Sequence, residues 1–105
     1  MPTRRVELSP QALADIQEDA ACIRDELFDP AAARRMARKI MDRIRALARH
    51  PLAGPAIRTD SLLLQSYRYI LAADHYVFYR VEGERILVVR VIHTGRDYER
   101  LLAEP

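Results

Sequence analysis

The sequence has a single cysteine, Cys22, and no apolar run long enough to cross a membrane. One thiol excludes an internal disulfide and any zinc site built on several thiolates, and it fits a reducing, cytoplasmic setting. The opening from Met1 to Val6 is basic but has no apolar stretch behind it, so no secretory signal is expected there. Also missing are a Gly-rich phosphate loop, an HExxH helix, a GxSxG elbow and any spaced set of metal ligands. No metal and no cofactor is therefore expected. His50, His75 and His93 stand far apart, and no carboxylate lies at a local spacing that would pair with them. His50 is read as a charge near a helix C-terminus, where the helix dipole favours it.

What is present fits one globular domain over residues 1–105, with 50% hydrophobic and 30% charged residues. The net charge of +2 hides an uneven distribution. Residues 1–30 carry three basic and seven acidic side chains, whereas residues 31–58 carry eight basic ones against Asp42 alone. Such a segment is either a solvated helix face or a surface that meets nucleic acid or an acidic protein through its field. Apart from Lys39, every one of these basic residues is arginine, the better residue for bidentate contacts to phosphate or carboxylate.

Arg4 to Leu8 reads as a short strand with Val6 and Leu8 on one face. Ser9-Pro10 starts a helix: the serine caps free N–H groups and the proline sits where its missing N–H costs nothing. Leu13, Ile16, Ala20, Ile23 and Leu27 form its apolar stripe, and Asp15, Glu18, Asp19, Asp25 and Glu26 fall off it. Cys22, beside Ile23, is expected to be a small packed residue. Asp29-Pro30 repeats the start signal. Met36, Ile40, Ile44 and Leu47 line the second helix, with Ala33, Ala37 and Met41 alongside and Arg34, Arg38, Arg45 and Arg49 elsewhere on its surface. It is expected to run to His50-Pro51. The short joint at Phe28 predicts an antiparallel helical hairpin, modestly favoured by the opposite charges of the two segments.

After the Pro/Gly-rich loop from Pro51 to Asp60 the period changes from helical to alternating. Leu64–Leu71, His75–Glu82 and Arg85–His93 read as three strands joined by short turns, hence an antiparallel meander. Leu87, Val89, Val91 and His93 are expected to alternate with Ile86, Val88, Arg90 and Ile92, with Arg90 emerging on the open face. Residues 97–102 suit a short final helix. The expected fold is a two-layer α+β domain of order β-α-α-β-β-β, a helical hairpin packed on an antiparallel sheet. Where the first strand joins is not legible from pattern.

Arg90, His93, Arg96 and Tyr98 lie at or beyond the end of the last strand, and Arg68 and Arg80 come from its neighbours. Taken singly they read as surface charge and sheet packing. Sharing one face, they would make a phosphate-binding cluster with an imidazole and a phenol nearby, a set that suits RNA cleavage by general acid–base chemistry.

The runs from Ser66 to Leu71, His75 to Val81 and Val89 to His93, with Arg96-Asp97, resemble the RelE/ParE toxin family over nearly the whole chain. So do the opening from Leu8 to Ala12 with Asp15-Ile16, and His50-Pro51 followed by Gly54. The resemblance implies the toxin of a type II toxin–antitoxin system, inhibiting bacterial growth. RelE-like members are ribosome-dependent mRNA endonucleases, and ParE-like members poison DNA gyrase. Against the RelE pattern, Arg68 and Ile70 stand where two lysines are expected, and Val77 stands where an arginine follows the tyrosine of the next strand. Arg96 matches a later arginine and Tyr98 is a loose counterpart of a C-terminal tyrosine. The long paired helices, the run from His75 to Phe78 and the ending from Ile92 to Asp97 are more similar to ParE. On the nuclease alternative, with ribosome and mRNA as partners, the resemblance implies Arg68, Arg96 and Tyr98 as catalytic, and the strand-end cluster adds His93. On either it implies a toxin–antitoxin hetero-oligomer. In it, a disordered antitoxin tail would fill a groove along helices and sheet, with its acidic residues at Arg34, Arg38 or Arg45. Arg80 and Arg90 are further expected partner contacts.

Overall fold

The computed structural model describes residues 3–62 and 64–103. Strand β1 (Arg5–Leu8) is followed by helices α1 (Pro10–Glu26) and α2 (Pro30–Ala46), then β2 (Arg68–Ala72), β3 (His75–Glu82), β4 (Arg85–His93) and α3 (Tyr98–Ala103). The last three strands form the expected antiparallel meander, and β3 and β4 start and stop at the expected residues. β1 joins on the far side of β4 and runs parallel to it, so the sheet order is β1-β4-β3-β2 and the sheet as a whole is mixed. β2 starts four residues later than expected. The preceding residues instead close successive turns, from Leu64 N–H to the Ser61 carbonyl and from Tyr67 N–H to the Leu64 carbonyl. α2 likewise stops at Ala46, before the expected His50-Pro51. Beyond it the N–H groups of Leu47, Ala48 and Arg49 each bond three residues back, the tightening that satisfies a helix end.

Both helix starts are capped as read: the Ser9 hydroxyl accepts from Ala12 N–H at 3.0 Å and the Asp29 carboxylate from Ala32 N–H at 3.0 Å. The α2 stripe is buried as expected, with Ile40 and Ile44 at the centre of the layer. Burying each of these isoleucines stabilises the fold by roughly 1.5–3 kcal/mol. The α1 stripe is turned from its expected position. Leu13 and Leu27 are 47% and 67% exposed, whereas Ala12, Asp15 and Ile16 face inward and Ala20 and Ile23 pack beside them. Cys22 is exposed, not packed, and its thiol donates to Glu26 at 3.2 Å. That hydrogen bond and the carboxylate's charge hold the thiol pKa up, which keeps it a poor nucleophile. Among the described residues no ion pair links α1 to α2: Arg24 with Asp25 and Arg45 with Asp42 each lie within one helix, and Asp15 and Asp19 reach to the sheet. The hairpin therefore rests on apolar contact rather than on charge between helices.

A bulge disturbs the expected alternation of β4. Phe78 faces Arg90 but Tyr79 faces Val88, leaving Val89 as the extra residue. Ile86, Val88 and, past the bulge, Val91 all join the core beneath the helices. Val89 and Ile92 join a second cluster on the other face with Ile57, Phe78, Tyr98 and Leu101.

β1 ends at Leu8 opposite Val88, and from there the outer edge of β4 would lose its partner. Side chains and backbone of the β1–α1 segment take over. Ser9 N–H donates to the Val88 carbonyl at 2.9 Å and Ser9 Oγ to the Val89 carbonyl at 2.8 Å. Asp15 Oδ2 then accepts from Val91 N–H at 2.9 Å. The same carboxylate receives Arg90 Nε at 2.8 Å and Nη2 at 3.1 Å, and Gln11 Nε2 at 3.0 Å. Arg90 Nη1 reaches the Leu101 carbonyl at 3.1 Å. The side chains of Asp15 and Arg90 are only 6% and 16% exposed. One buried pair thus joins α1, β4 and α3.

Opposite this joint, the loop after α2 is pinned to the sheet by Tyr79, whose hydroxyl donates to the Pro51 carbonyl at 2.9 Å and accepts from Gly54 N–H at 3.1 Å. Gly54 lies so close to β2 that a Cβ there would sit 2.0 Å from the Tyr69 carbonyl oxygen. Burial pushes the Tyr79 phenol above its ordinary pKa of 10.0, opposed by the Gly54 N–H and the Arg68 charge.

Two outcomes are expected. Asp15→Ala leaves the Arg90 charge and the Val91 N–H without a partner, and should cost about 3–5 kcal/mol in urea unfolding; a loss under about 1 kcal/mol would show that the pair does not hold the layers. Tyr79→Phe should cost about 1–3 kcal/mol at neutral pH by orphaning two backbone groups. The folded protein keeps the Tyr79 proton to higher pH than the unfolded chain, so wild-type stability falls as pH rises past the ordinary phenol pKa. The gap between wild type and Tyr79→Phe should therefore narrow there, and a gap independent of pH would contradict a phenol held protonated.

Candidate functional site

The six side chains that would form one cluster if they shared the open face are not gathered as a set. Arg68 has the parity of Ile70 and Ala72, which face the helices, and its Nη1 donates to the Gly54 carbonyl at 2.8 Å. Arg80 lies 5.4 Å over the Tyr67 ring and 3.3 Å from Glu82. Its Nε is buried without a hydrogen-bond partner, and the ring beneath offsets part of that cost. Arg90 does not emerge: it is engaged by Asp15 and Leu101. His93 and Tyr98 stand on opposite sides of the sheet. The His93 ring packs edge-on against His75, 5.4 Å between centroids, in a cleft with Ile23 and Met36. The Tyr98 ring packs 5.2 Å from Phe78 and 5.3 Å from Tyr76 on the other face. Arg96 is exposed in the turn between β4 and α3.

The chemistry each retains is limited. His93 Nδ1 accepts the Gly95 N–H at 3.0 Å, which leaves only Nε2 for other work. Burial, then the charge of Glu99, holds the Tyr98 phenol above its ordinary pKa of 10.0, so at neutral pH it is a protonated donor and no base. His75 is enclosed, with Nε2 at 2.8 Å from Asp19 Oδ2 and Nδ1 at 2.7 Å from the Ala73 carbonyl. It ties the β2–β3 turn to α1 and presents neither nitrogen to a substrate. Among the described residues no three His, Cys, Asp or Glu side chains could hold a metal ion, and no helix is long and apolar enough to cross a membrane.

Two surfaces stand out among the described residues. The first is a groove of about 500 Å³ between α2 and the edge strand β2, lined by Lys39, Asp42, Arg43 and Leu71 to Ala73, with Leu71 53% exposed. The second is the outward side of α2, where Arg34, Arg38 and Arg45 are exposed. At about 100° per residue these three fall within a narrow stripe, and Arg35, Lys39 and Arg43 fall on another turned toward the sheet edge. Asp15 is the residue that sequence reasoning placed wrongly. A signal for its role does exist: Arg90 is the one charge in the otherwise apolar interior of β4, and a buried arginine demands a carboxylate. Pattern alone does not say which of the acidic residues of α1 answers it.

Known proteins share this arrangement. The chromosomal ParDE system from P. aeruginosa superposes with a TM-score of 0.72 at 16% identity, over 89% of this chain and 98% of that one. The YoeB/ParE toxin from Agrobacterium tumefaciens gives 0.59 at 24% identity, over 85% and 96%. These likenesses concern the fold. In sequence, the chain is 34% identical over 99 residues to Toxin ParE1 of Mycobacterium tuberculosis (strain CDC 1551 / Oshkosh), spanning 93% of this chain and 97% of that protein. Residues 6–98 match the family model described as the ParE toxin of the type II toxin–antitoxin system parDE. The chain therefore belongs to the ParE toxin family of type II toxin–antitoxin systems.

Proposed function

We propose that this ParE-family toxin arrests growth by poisoning DNA gyrase, and that a cognate antitoxin neutralises it in a hetero-oligomer. The observation that carries the choice of target is the division of the would-be nuclease residues. The imidazole of His93 and the phenol of Tyr98 lie on opposite faces of the sheet, and Arg68 and Arg90 are engaged by the protein itself. RNA cleavage needs acid, base and phosphate ligands around one phosphorus. A toxin that acts by binding a protein needs no such convergence, and the membership of the ParE family supports that reading.

For the antitoxin, the groove beside β2 is the better seat than the α2 arginines expected from sequence. It offers an exposed leucine for an apolar anchor, and the ammonium of Lys39 and guanidinium of Arg43 at its rim for carboxylates. The outer side of β2 is paired with residues 55–57 only as far as Tyr69, so beyond it an extended segment has a strand edge to add to.

Inducing the chain without its antitoxin and pulse-labelling both macromolecules tests the target. DNA synthesis should stop while translation continues, and Arg68→Ala, Arg96→Ala and Tyr98→Phe proteins that still fold should remain toxic. An early stop in translation, abolished by those substitutions, would replace gyrase with the ribosome-dependent nuclease reading.

A further inference from the structure

The groove beside β2 leaves the outward side of α2 unassigned. Arg34, Arg38 and Arg45 run along it, and Arg49 follows in the turn beyond. From Arg34 to Arg45 the row covers about 16 Å at the helical rise. Among the described residues, Arg34, Arg35, Arg38, Lys39, Arg43 and Arg49 have no ion pair and no side-chain hydrogen bond; Arg45 pairs with Asp42, both well exposed. Three carboxylates of α1 are occupied elsewhere, Asp15 by Arg90, Asp19 by His75 and Asp25 by Arg24, and α2 itself carries Asp42 alone against its six basic side chains.

We propose that the outward face of α2 binds the phosphate backbone of duplex DNA without reading its sequence. Three features select this ligand. The face is a row of guanidinium groups on a regular helix, and arginine pairs with phosphate in a fixed, bidentate geometry. It has no apolar anchor, since the large exposed hydrophobic residues, Leu13, Leu27, Phe28, Leu52, Leu62 and Leu71, all lie outside α2. Protein interfaces draw most of their energy from such anchors and are depleted of charge at their centres, so an acidic protein is the poorer match. It also has no aromatic side chain. Single strands and RNA loops are captured by stacking bases on aromatic rings, and the partly exposed tyrosines Tyr67, Tyr69, Tyr76 and Tyr98 all belong to the opposite face of the sheet. What remains is sequence-independent binding to a regular array of phosphates. This binding is separate from the choice of gyrase or ribosome as target and stands or falls without it.

Fluorescence anisotropy of the full chain with a mixed-sequence 20-base-pair duplex, across a salt series, tests the proposal. The plot of log affinity against log salt should be steep, and the variant carrying Arg34→Ala, Arg38→Ala and Arg45→Ala should flatten it by about 2.7, near 0.9 for each phosphate no longer neutralised. Its affinity at low salt should fall at least roughly tenfold. Replacing the same three by lysine keeps the charge and should keep the slope, which separates the missing charge from a damaged fold. A control lacking Arg5, Arg24 and Arg58 has the same net charge as the alanine variant and should bind as wild type. The proposal is overturned if the control weakens as much as the α2 variant, because net charge alone would then explain binding. It is equally overturned if a 20-residue polyglutamate displaces the duplex at matched charge, which would make the face a site for an acidic protein.

Discussion

The bidentate contact between Asp15 and Arg90 is the joint on which the two layers hang. A lone guanidinium in the middle of an apolar strand is tolerable only if a carboxylate is brought to it, and that requirement fixes the rotation of α1 about its own axis. Ala12 and Ile16 then face the sheet and Leu13 turns to solvent. The same carboxylate closes the β4 edge where β1 ends, so the pair is also what lets a four-residue strand begin the sheet without orphaning the backbone beyond it. A hydrophobic pair of equal volume could fill the space, and such replacements are often no less stable. It could not supply the acceptor for Val91 N–H or a donor for the α3 carbonyl.

This dependence shows which parts of the fold a linear reading reaches. Caps, turns and the limits of β3 and β4 are written in neighbouring residues: Ser9-Pro10 and Asp29-Pro30 do what their chemistry dictates, and between β3 and β4 Gly83 supplies the positive φ of 61° that the short turn needs. The α2 stripe is legible because one face is apolar and the other almost wholly charged. The α1 stripe misleads because its polar and apolar residues are mixed, and a buried Asp15 looks like any other carboxylate on a helix. The bulge at Val89 is invisible in a strand where nearly every residue is apolar, since sliding the alternation by one leaves the pattern intact. That slip is why a cluster drawn from strict alternation at the end of β4 does not exist in space.

The sheet works as a partition. Toward the helices it carries the aliphatic core and the enclosed His75. Away from them it carries a tyrosine-rich layer, roofed by α3 and by the loop that Tyr79 holds at Gly54. Among the described residues, neither side gathers acid, base and cations at one point. Positive charge is instead concentrated on α2, whose buried inner stripe holds the outer one in place. Rigid presentation of charge lowers the ordering cost of every interaction made with it.

The parallel pairing of β1 with β4 has a consequence for how the protein is made. The ribosome delivers β1 first, yet its hydrogen-bonding partner is the last strand to emerge, and Asp15 waits as long for Arg90. At about 5–20 residues per second the interval is roughly 4–17 s. During it the helical hairpin can form from local contacts, but the first strand and the carboxylate on α1 have nothing to bind. The four-stranded sheet can therefore close only once β4 has emerged, in one step that joins residues about 80 apart in sequence. A nascent copy thus spends those seconds with its first strand unpaired and the Asp15 carboxylate without its arginine, open to whatever it meets before the sheet closes.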